Sequence, residues 1–541
     1  MGCGEDTSTP GETGSDVSKE GSADTMLRSF SRIWLRPLLV VFLAFTLWLV
    51  VGEFIGRVGM EIVPPESEWG RILWTSPLGG PVWIGSILEF LAALVGIAIT
   101  VASILVQLSA TRYTSRIINL FIDDKINLAV FVIYITTPLY GMWIAFFWHT
   151  FAYPAGTLLT FELLAVLDAF ILLPYFSYLF YFLQPEKIVH KIQSSVRLSH
   201  LSPLASDKKL ERLKKNLIAS VTQLTDVVLN SLSQSDISVS LMSINTLKEL
   251  MIGYERVKKR APSIWHRVPR RAFPGLEDDR IRRLEEGTVW VELHCLKQFE
   301  LIFVQSLNRF REVSAAIARR TRDVGLEALR LHELEALDLV IIFFNTYLRH
   351  ALNALDVRTM FHTFYQYRLL AEGCADHSLT ELLTKIASYF RYYGQEAERR
   401  GITFVIEIAA YDLRILVQRA YERCPSAVDS LLDVFLEVDR VPDEESERSQ
   451  RGVRKSQALL AAFFLEHDEI TLARRIHEDM LEESRERILS IGEELEAAAP
   501  ADFWEIQDRG SNFYYVPQEM RRHLRRFFGW FEESSGLEPR E

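Results

Sequence analysis

The chain has 541 residues, of which 49% are hydrophobic and 24% charged, and carries a formal net charge of −11. That mild acidity argues against general nucleic-acid binding, which needs a basic face. Four cysteines without paired spacing (Cys3, Cys295, Cys374, Cys424) argue against a disulfide framework and a zinc site, and fit a reducing cytoplasm.

In chain order, residues 1–26 are almost devoid of apolar side chains and read as a disordered cytoplasmic tail. The start Met1-Gly2-Cys3 hints at acylation, but Asp6 stands where the myristoylation pattern needs Ser or Thr. Between Pro37 and Leu183 lies a nearly uncharged block. Roughly 20 apolar residues cross about 30 Å of hydrocarbon. Four stretches are near or above that length: Pro37–Phe54, Val82–Leu108, Asn127–Phe147 and Thr157–Leu183. The expected class is therefore all-α, with four transmembrane helices over residues 27–190. A juxtamembrane helical region (191–275) and a cytoplasmic helical bundle or short solenoid (276–541) follow.

Basic residues set the expected orientation, because short cytoplasmic segments keep Lys and Arg. Arg28, Arg32 and Arg36 precede the first span; Arg112, Arg116 and Lys125 follow the second; Lys187, Lys191 and Arg197 follow the fourth. The other connections are poor in them: Gly56–Pro81 sets Arg57 and Arg71 against three glutamates, and His149–Gly156 has neither Lys nor Arg. Both termini are expected in the cytoplasm of a protein of the cell membrane. The first span begins too far in, and lacks the cleavage site, for a signal peptide.

Polar residues inside the spans are the candidate site. In the second span Glu89, Ala93, Gly96, Thr100, Ser103 and Gln107 recur at steps of four and three, so small or polar residues share one helix face. Such a face either lets neighbouring helices approach closely or lines a water-filled path. Asp168 stands near mid-bilayer in the fourth span, Glu162 nearer its outer end, and Thr136 and Thr137 precede Pro138 in the third. No Lys or Arg lies deep in a span, so each carboxyl must be protonated, hydrogen-bonded or wet. The reading that packing explains these residues competes with a cation or proton pathway, which would need an oligomer, since four helices rarely enclose a pore.

The second span runs into Leu108–Asp124, where Arg112 and Arg116 share a face and snorkel toward headgroups. This segment, Gln107-Leu108-Ser109-Ala110-Thr111-Arg112-Tyr113-Thr114-Ser115-Arg116 followed by Ile117–Asp124, resembles the hallmark of a large bacterial family of predicted multi-pass membrane proteins. The family's domain is one of unknown function. Arg112, Tyr113, Thr114 and Ser115 stand where the family has Gln, Phe, Ser and Pro, so the chain is a divergent member. Ser231–Asp236 is similar to the start of a second family block, but lacks its Asn-Asp-Pro core. The resemblance covers roughly residues 35–255 and implies a topology, not an activity.

Beyond the spans, Leu210–Leu232, Ile281–Arg320, Leu326–Leu355, Leu379–Arg399 and Leu459–Glu496 carry apolar residues at helical spacing. Breaks are expected at Pro203, Pro262, Pro269, Pro274, Gly325, Gly401, Pro425 and Pro442. Ala461–Glu496 resembles a helix-hairpin repeat unit, yet no fixed period is apparent. The basic stretches Arg256–Arg271 and Met520–Trp530, the latter with Arg521 and Arg525, are candidate headgroup contacts. His294-Cys295 are adjacent and point apart on a helix. Glu466–Glu469 and His477–Asp479 read as solvated helix faces. With no phosphate loop, nucleophile elbow or metal-binding motif, no catalytic, cofactor or metal site is assigned and no enzyme is expected. The partners expected are the bilayer, a second copy of the chain or a cytoplasmic protein, and not nucleic acid.

Overall fold

The computed structural model describes residues 36–74, 84–113, 117–122, 124–152, 154–440, 447–497 and 512–533. The N-terminal tail and Arg116 lie outside them. The chain falls into two compact units, one ending at Ile188 and the other beginning at Val189. The described residues contain helices and no strand.

Four helices of the first unit are long and apolar enough to cross a membrane: α1 (Arg36–Ile62), α3 (Ile84–Arg112), α5 (Lys125–Phe147) and α6 (Pro154–Phe182). Short helices α2 (Glu68–Trp74) and α4 (Ile117–Ile122) lie in the connections, and α7 (Pro185–Ser194) follows the last span. The first span is longer than its apolar run suggests. Helix α1 continues past Phe54 through Arg57 and Glu61, because backbone bonding carries a helix on into polar sequence until a breaker arrives, here Pro64-Pro65. Helix α1 packs on α5 and α6, and α3 packs on the same two helices from another side. One apolar cluster gathers Leu91, Tyr140, Ile144 and Phe161; a second gathers Leu94, Ala98, Ala102, Tyr134 and Leu179.

The α1–α6 contact depends on glycine. A Cβ on Gly156 would overlap the backbone of Gly56 and lie 2.7 Å from the Gly52 carbonyl oxygen. Gly52 and Gly56 are four apart on one face of α1, so the two backbones approach without side chains between them. Hydrogen bonds complete the joint: Trp48 Nε1 donates to Thr136 Oγ1 (3.2 Å), and Tyr140 Oη to the Thr157 carbonyl (3.3 Å).

The second unit contains α8 (Asp207–Ser233), α9 (Ile237–Glu255), the short α10 (Ser263–His266) and α11 (Asp278–Glu286), and α12 (Trp290–Ser306). Five helices follow with very short links: α13 (Arg311–Arg330), α14 (Leu334–Asn353), α15 (Val357–Asp376), α16 (Thr380–Arg399) and α17 (Thr403–Arg423). Then come α18 (Val428–Leu436), α19 (Glu447–Glu466), α20 (Ile470–Met480), α21 (Arg485–Ala497) and α22 (Gln518–Glu533). Each helix packs on its neighbour and also on the helix after that, giving two layers. Helices α9, α13, α15, α17 and α19 form one, and α8, α12, α14, α16 and α18 the other. Residues 46 apart therefore meet across stacked hairpins: Asn308 with the Ala354 carbonyl, Thr380 with Ser426, Thr384 with Ser430, Arg475 with Asp429.

A period does exist, and it lies in the backbone. Residues at positive φ fall at 308, 332, 355, 378 and 401, spaced by 24, 23, 23 and 23. At His332, Leu355, Ser378 and Gly401 the same closure recurs, with the next residue's N–H donating back to the helix, as Glu333 N does to the Ala328 carbonyl at 2.8 Å. Only one of these positions is glycine, so the period has no side-chain signature. Asp356 ends one helix and caps the next, its side chain accepting from Thr359 N. Several expected boundaries change accordingly, Leu326–Leu355 and Leu459–Glu496 being broken at His332 and Asp468 among other places. Ile281–Arg320 is three helices, broken at Thr288 and Asn308, both at positive φ. Gly325 is interior to α13: a Cβ there would lie 2.8 Å from Leu370 Cδ1 and 3.0 Å from Val340 Cγ1, so it marks close helix packing and not an end.

Candidate functional site in the membrane domain

The polar residues of the spans fall in separate places. Asp168 is fully buried where α6 meets α5, and neither carboxylate oxygen has a hydrogen-bond partner. Its backbone carbonyl accepts from Tyr134 Oη at 3.2 Å. Thr137 neighbours the carboxylate, but its hydroxyl donates to the Ile133 carbonyl at 3.0 Å, and Thr136 donates to Val132 at 2.7 Å. Both threonines are buried. An ionised carboxylate buried here, with no cation paired to it among the described residues, would cost several kcal/mol after relaxation. Tyr175 Oη, also buried and without a partner, lies on the same helix.

The stripe on α3 is elsewhere. Glu89, Ala93, Gly96, Thr100, Ser103 and Gln107 are all exposed, and a Cβ on Gly96 would meet nothing within 4 Å. The face that α3 buries carries Leu91, Leu94, Ala98, Ala102 and Val106. Packing within one chain therefore does not explain the stripe, and a single chain does not bring Asp168 together with Glu89 and Thr100. Glu162 is half-buried at a shallow apolar depression with Ile87, Phe90 and Phe170.

Arg112 sits at the end of α3 with its guanidinium 5.4 Å from the Tyr113 ring. In the second unit Arg525 pairs with Glu496 at 2.7 Å, and Arg521 donates to the Val516 carbonyl at 3.4 Å. The aromatics that follow them, Phe527, Phe528 and Phe531, are core residues, with Phe527 and Phe531 against His477. In the other basic stretch Lys258, Trp265 and Val268 are buried, while Arg256 and Arg270 are exposed.

Two polar features escape an inspection of mid-span charges. Glu53 on α1 has a buried carboxylate oxygen near Tyr140; it falls at the end of the apolar run, where a carboxylate passes for an interfacial residue. Asp124 accepts from Tyr178 Oη at 2.7 Å and caps α5 through Ile126 N at 3.1 Å. The Gly52–Gly56 spacing was the available signal for the α1–α6 joint.

No curated protein matches the chain. One solved structure does, titled "Circular tandem repeat protein with novel repeat topology and enhanced subunit contact surfaces", at 14% identity over 92% of this chain and 96% of that one, with a TM-score of 0.32. At that score the likeness bears on neither fold nor function. The model of a family described as "Predicted membrane protein (DUF2254)" matches residues 31–218, a range that takes in all four apolar helices, α7 and the first part of α8. This is a family of predicted membrane proteins of unknown function, and it is over residues 31–218 that the chain is similar to it.

Proposed function

We propose that the protein is a membrane-anchored scaffold or sensor of the cell membrane, without enzymatic activity, whose stacked helices hold a cytoplasmic protein partner. The carrying observation is a set of exposed apolar side chains on consecutive helices of one layer: Leu301 and Val304 on α12, Leu334 and Ile342 on α14, and Tyr392 on α16. Stacked hairpins offer extended surfaces for partners, and apolar groups left outside on several neighbouring helices mark an interaction surface. A photo-crosslinking residue at Ile342 or Tyr392 of the full chain, in cells, is expected to give one defined adduct that Tyr392→Glu or Ile342→Glu abolishes. Adducts as heterogeneous as those from exposed Arg423 would reject this surface.

The reading puts both termini in the cytoplasm. A cysteine introduced at Glu66 is expected to react with a membrane-impermeant maleimide in intact cells, and one at Asp207 only after lysis. The reverse pattern rejects the orientation.

The exposed α3 stripe favours a second reading, an oligomeric cation channel in which Glu89, Thr100, Ser103 and Gln107 of several copies face a shared axis. The experiment that separates the two is cation flux into liposomes, followed with a potential-sensitive dye at rest and under applied voltage. No flux is expected, with Asp168→Asn and Glu89→Gln indistinguishable from the parent. Flux lost in Glu89→Gln would replace the scaffold reading by the channel; loss confined to Asp168→Asn would move the path into the interior between α5 and α6.

A further inference from the structure

Residues 195–216 of the second unit enclose an open basic cleft of about 520 Å³, lined by Ser195, Arg197, His200, Ser202, Lys209 and Arg212. Arg197 leaves the turn after α7, while Lys209 and Arg212, three apart, share a face on the first turns of α8. Among the described residues none of these three cations is in an ion pair. Elsewhere in this unit cations are commonly matched, as Arg454 is with Asp439 and Asp479, or Arg368 with Asp412. The acids nearest in sequence, Asp207 and Glu211, do not line the cleft. The same end of α8 adds its positive dipole, and Ser206, its N-cap, makes no side-chain bond to the first turn. At the rim stands Leu204, 96% exposed.

We propose that this cleft binds a phosphate group, held by Arg197, Lys209 and Arg212 with the Ser202 hydroxyl as a further donor. Three convergent unpaired cations around a hydroxyl fit a compact multivalent oxyanion, and Arg supplies forked donors to it. Two sources carry that chemistry: the headgroup of an anionic lipid and free phosphate. Arg197 follows the last residue of α6 by fifteen positions in the chain, and an exposed leucine beside basic residues is how peripheral segments engage a bilayer surface.

The test uses the full chain in detergent micelles, with Leu204→Cys carrying an environment-sensitive fluorophore and Cys3 replaced by Ser. The remaining cysteines are buried. Inorganic phosphate, short-chain phosphatidic acid and short-chain phosphatidylcholine are titrated separately. Phosphatidic acid is expected to give a saturable emission shift that phosphatidylcholine does not. Arg212→Gln should weaken it by about tenfold or more, the equivalent of one lost charge-assisted hydrogen bond. Arg212→Lys, which keeps the charge, should weaken it less, and exposed Lys215→Gln, outside the cleft, should leave it unchanged. A response to phosphatidic acid alone assigns the site to lipid headgroups, and a matching response to inorganic phosphate assigns it to the free ion. No saturable response to either overturns the proposal. So does a response that survives Arg197→Gln combined with Arg212→Gln. Melting temperatures equal to the parent's confirm that the variants are folded; if Arg212→Gln melts low, Arg197→Gln alone takes its place with the same criteria.

Discussion

Gly156→Leu is expected to abolish the fold of the membrane domain, seen as loss of the monodisperse species in detergent and of its cooperative melt. Ordinary overpacking of a core costs about 1–3 kcal/mol, because neighbouring side chains can change rotamer. Here the neighbour is backbone. The added Cβ would coincide with Gly56 of α1 and press on the Gly52 carbonyl, so relief requires the helices to separate. Separation would also break the Trp48–Thr136 hydrogen bond, and it would pull Tyr140 from the cleft between Gly52 and Thr157. Membrane helices have little hydrophobic drive to close again, since lipid is as apolar as leucine. Gly96→Leu is the matched control: same chemistry, same membrane, but open space around the Cβ. Its melt should equal the parent's. If Gly156→Leu melts with the parent, the α1–α6 joint is not formed. If Gly96→Leu folds but changes the oligomeric mass, the α3 stripe is a contact between copies.

The features most legible in the sequence were those with strong one-dimensional signals. Four apolar runs became four long helices, and apolar spacing marked the helices beyond them. What the sequence hid was geometry carried by backbone. Asn308, His332, Leu355, Ser378 and Asp468 all adopt positive φ, yet none is the glycine that normally announces such a position. A helix end written in leucine or histidine cannot be told from a helix interior, so the 23-residue period was invisible and Ile281–Arg320 read as one helix. Glycine misled in the other direction. Gly325 suggested a break and instead admits Leu370 and Val340 to a close contact. At the candidate site, spacing identified the α3 stripe as one face, correctly. Spacing could not say whether that face pointed inward, because α3 is apolar on its other faces too, and the bilayer accepts apolar residues on any side. Asp168 was conspicuous by its charge. That the threonine hydroxyls donate to their own helix became visible only in the structure.

Lys258→Met should be the most damaging single substitution in the second unit, at about 3–5 kcal/mol, the usual cost of removing one partner of a buried ion pair. Lys258 is 1% exposed and contacts Glu292 at 2.9 Å and Glu333 at 2.8 Å. It thereby ties the turn after α9 to α12 and to the link before α14. Burial alone would lower its pKa, but Glu292 and Glu333 outweigh burial and hold it above the usual lysine value. Without the ammonium, Glu292 would be left buried without a cation, while Glu333 would keep Lys259 at 2.9 Å. Replacing both members, Lys258→Met with Glu292→Met, should recover much of the loss, since an apolar pair of similar volume avoids both desolvation costs. Beside them Glu255 has two buried oxygens without hydrogen bonds. Burial first, then the neighbouring Glu292, pushes its pKa up to about 9. In the unfolded chain this carboxyl ionises near the ordinary glutamate value of about 4.3. Between those values the folded form keeps a proton that the unfolded form has lost, so this group's contribution to stability falls as pH rises. Glu255→Gln should remove that slope and leave the unit more resistant than the parent at pH 8, with little difference at pH 4. The measurement is hydrogen exchange by mass spectrometry on the full chain, followed in the peptides covering residues 254–292. Protection in the parent that does not decline from pH 5 to pH 8, once the intrinsic exchange rate is divided out, would mean that Glu255 is ionised in the folded state, and the buried proton would have to be given up.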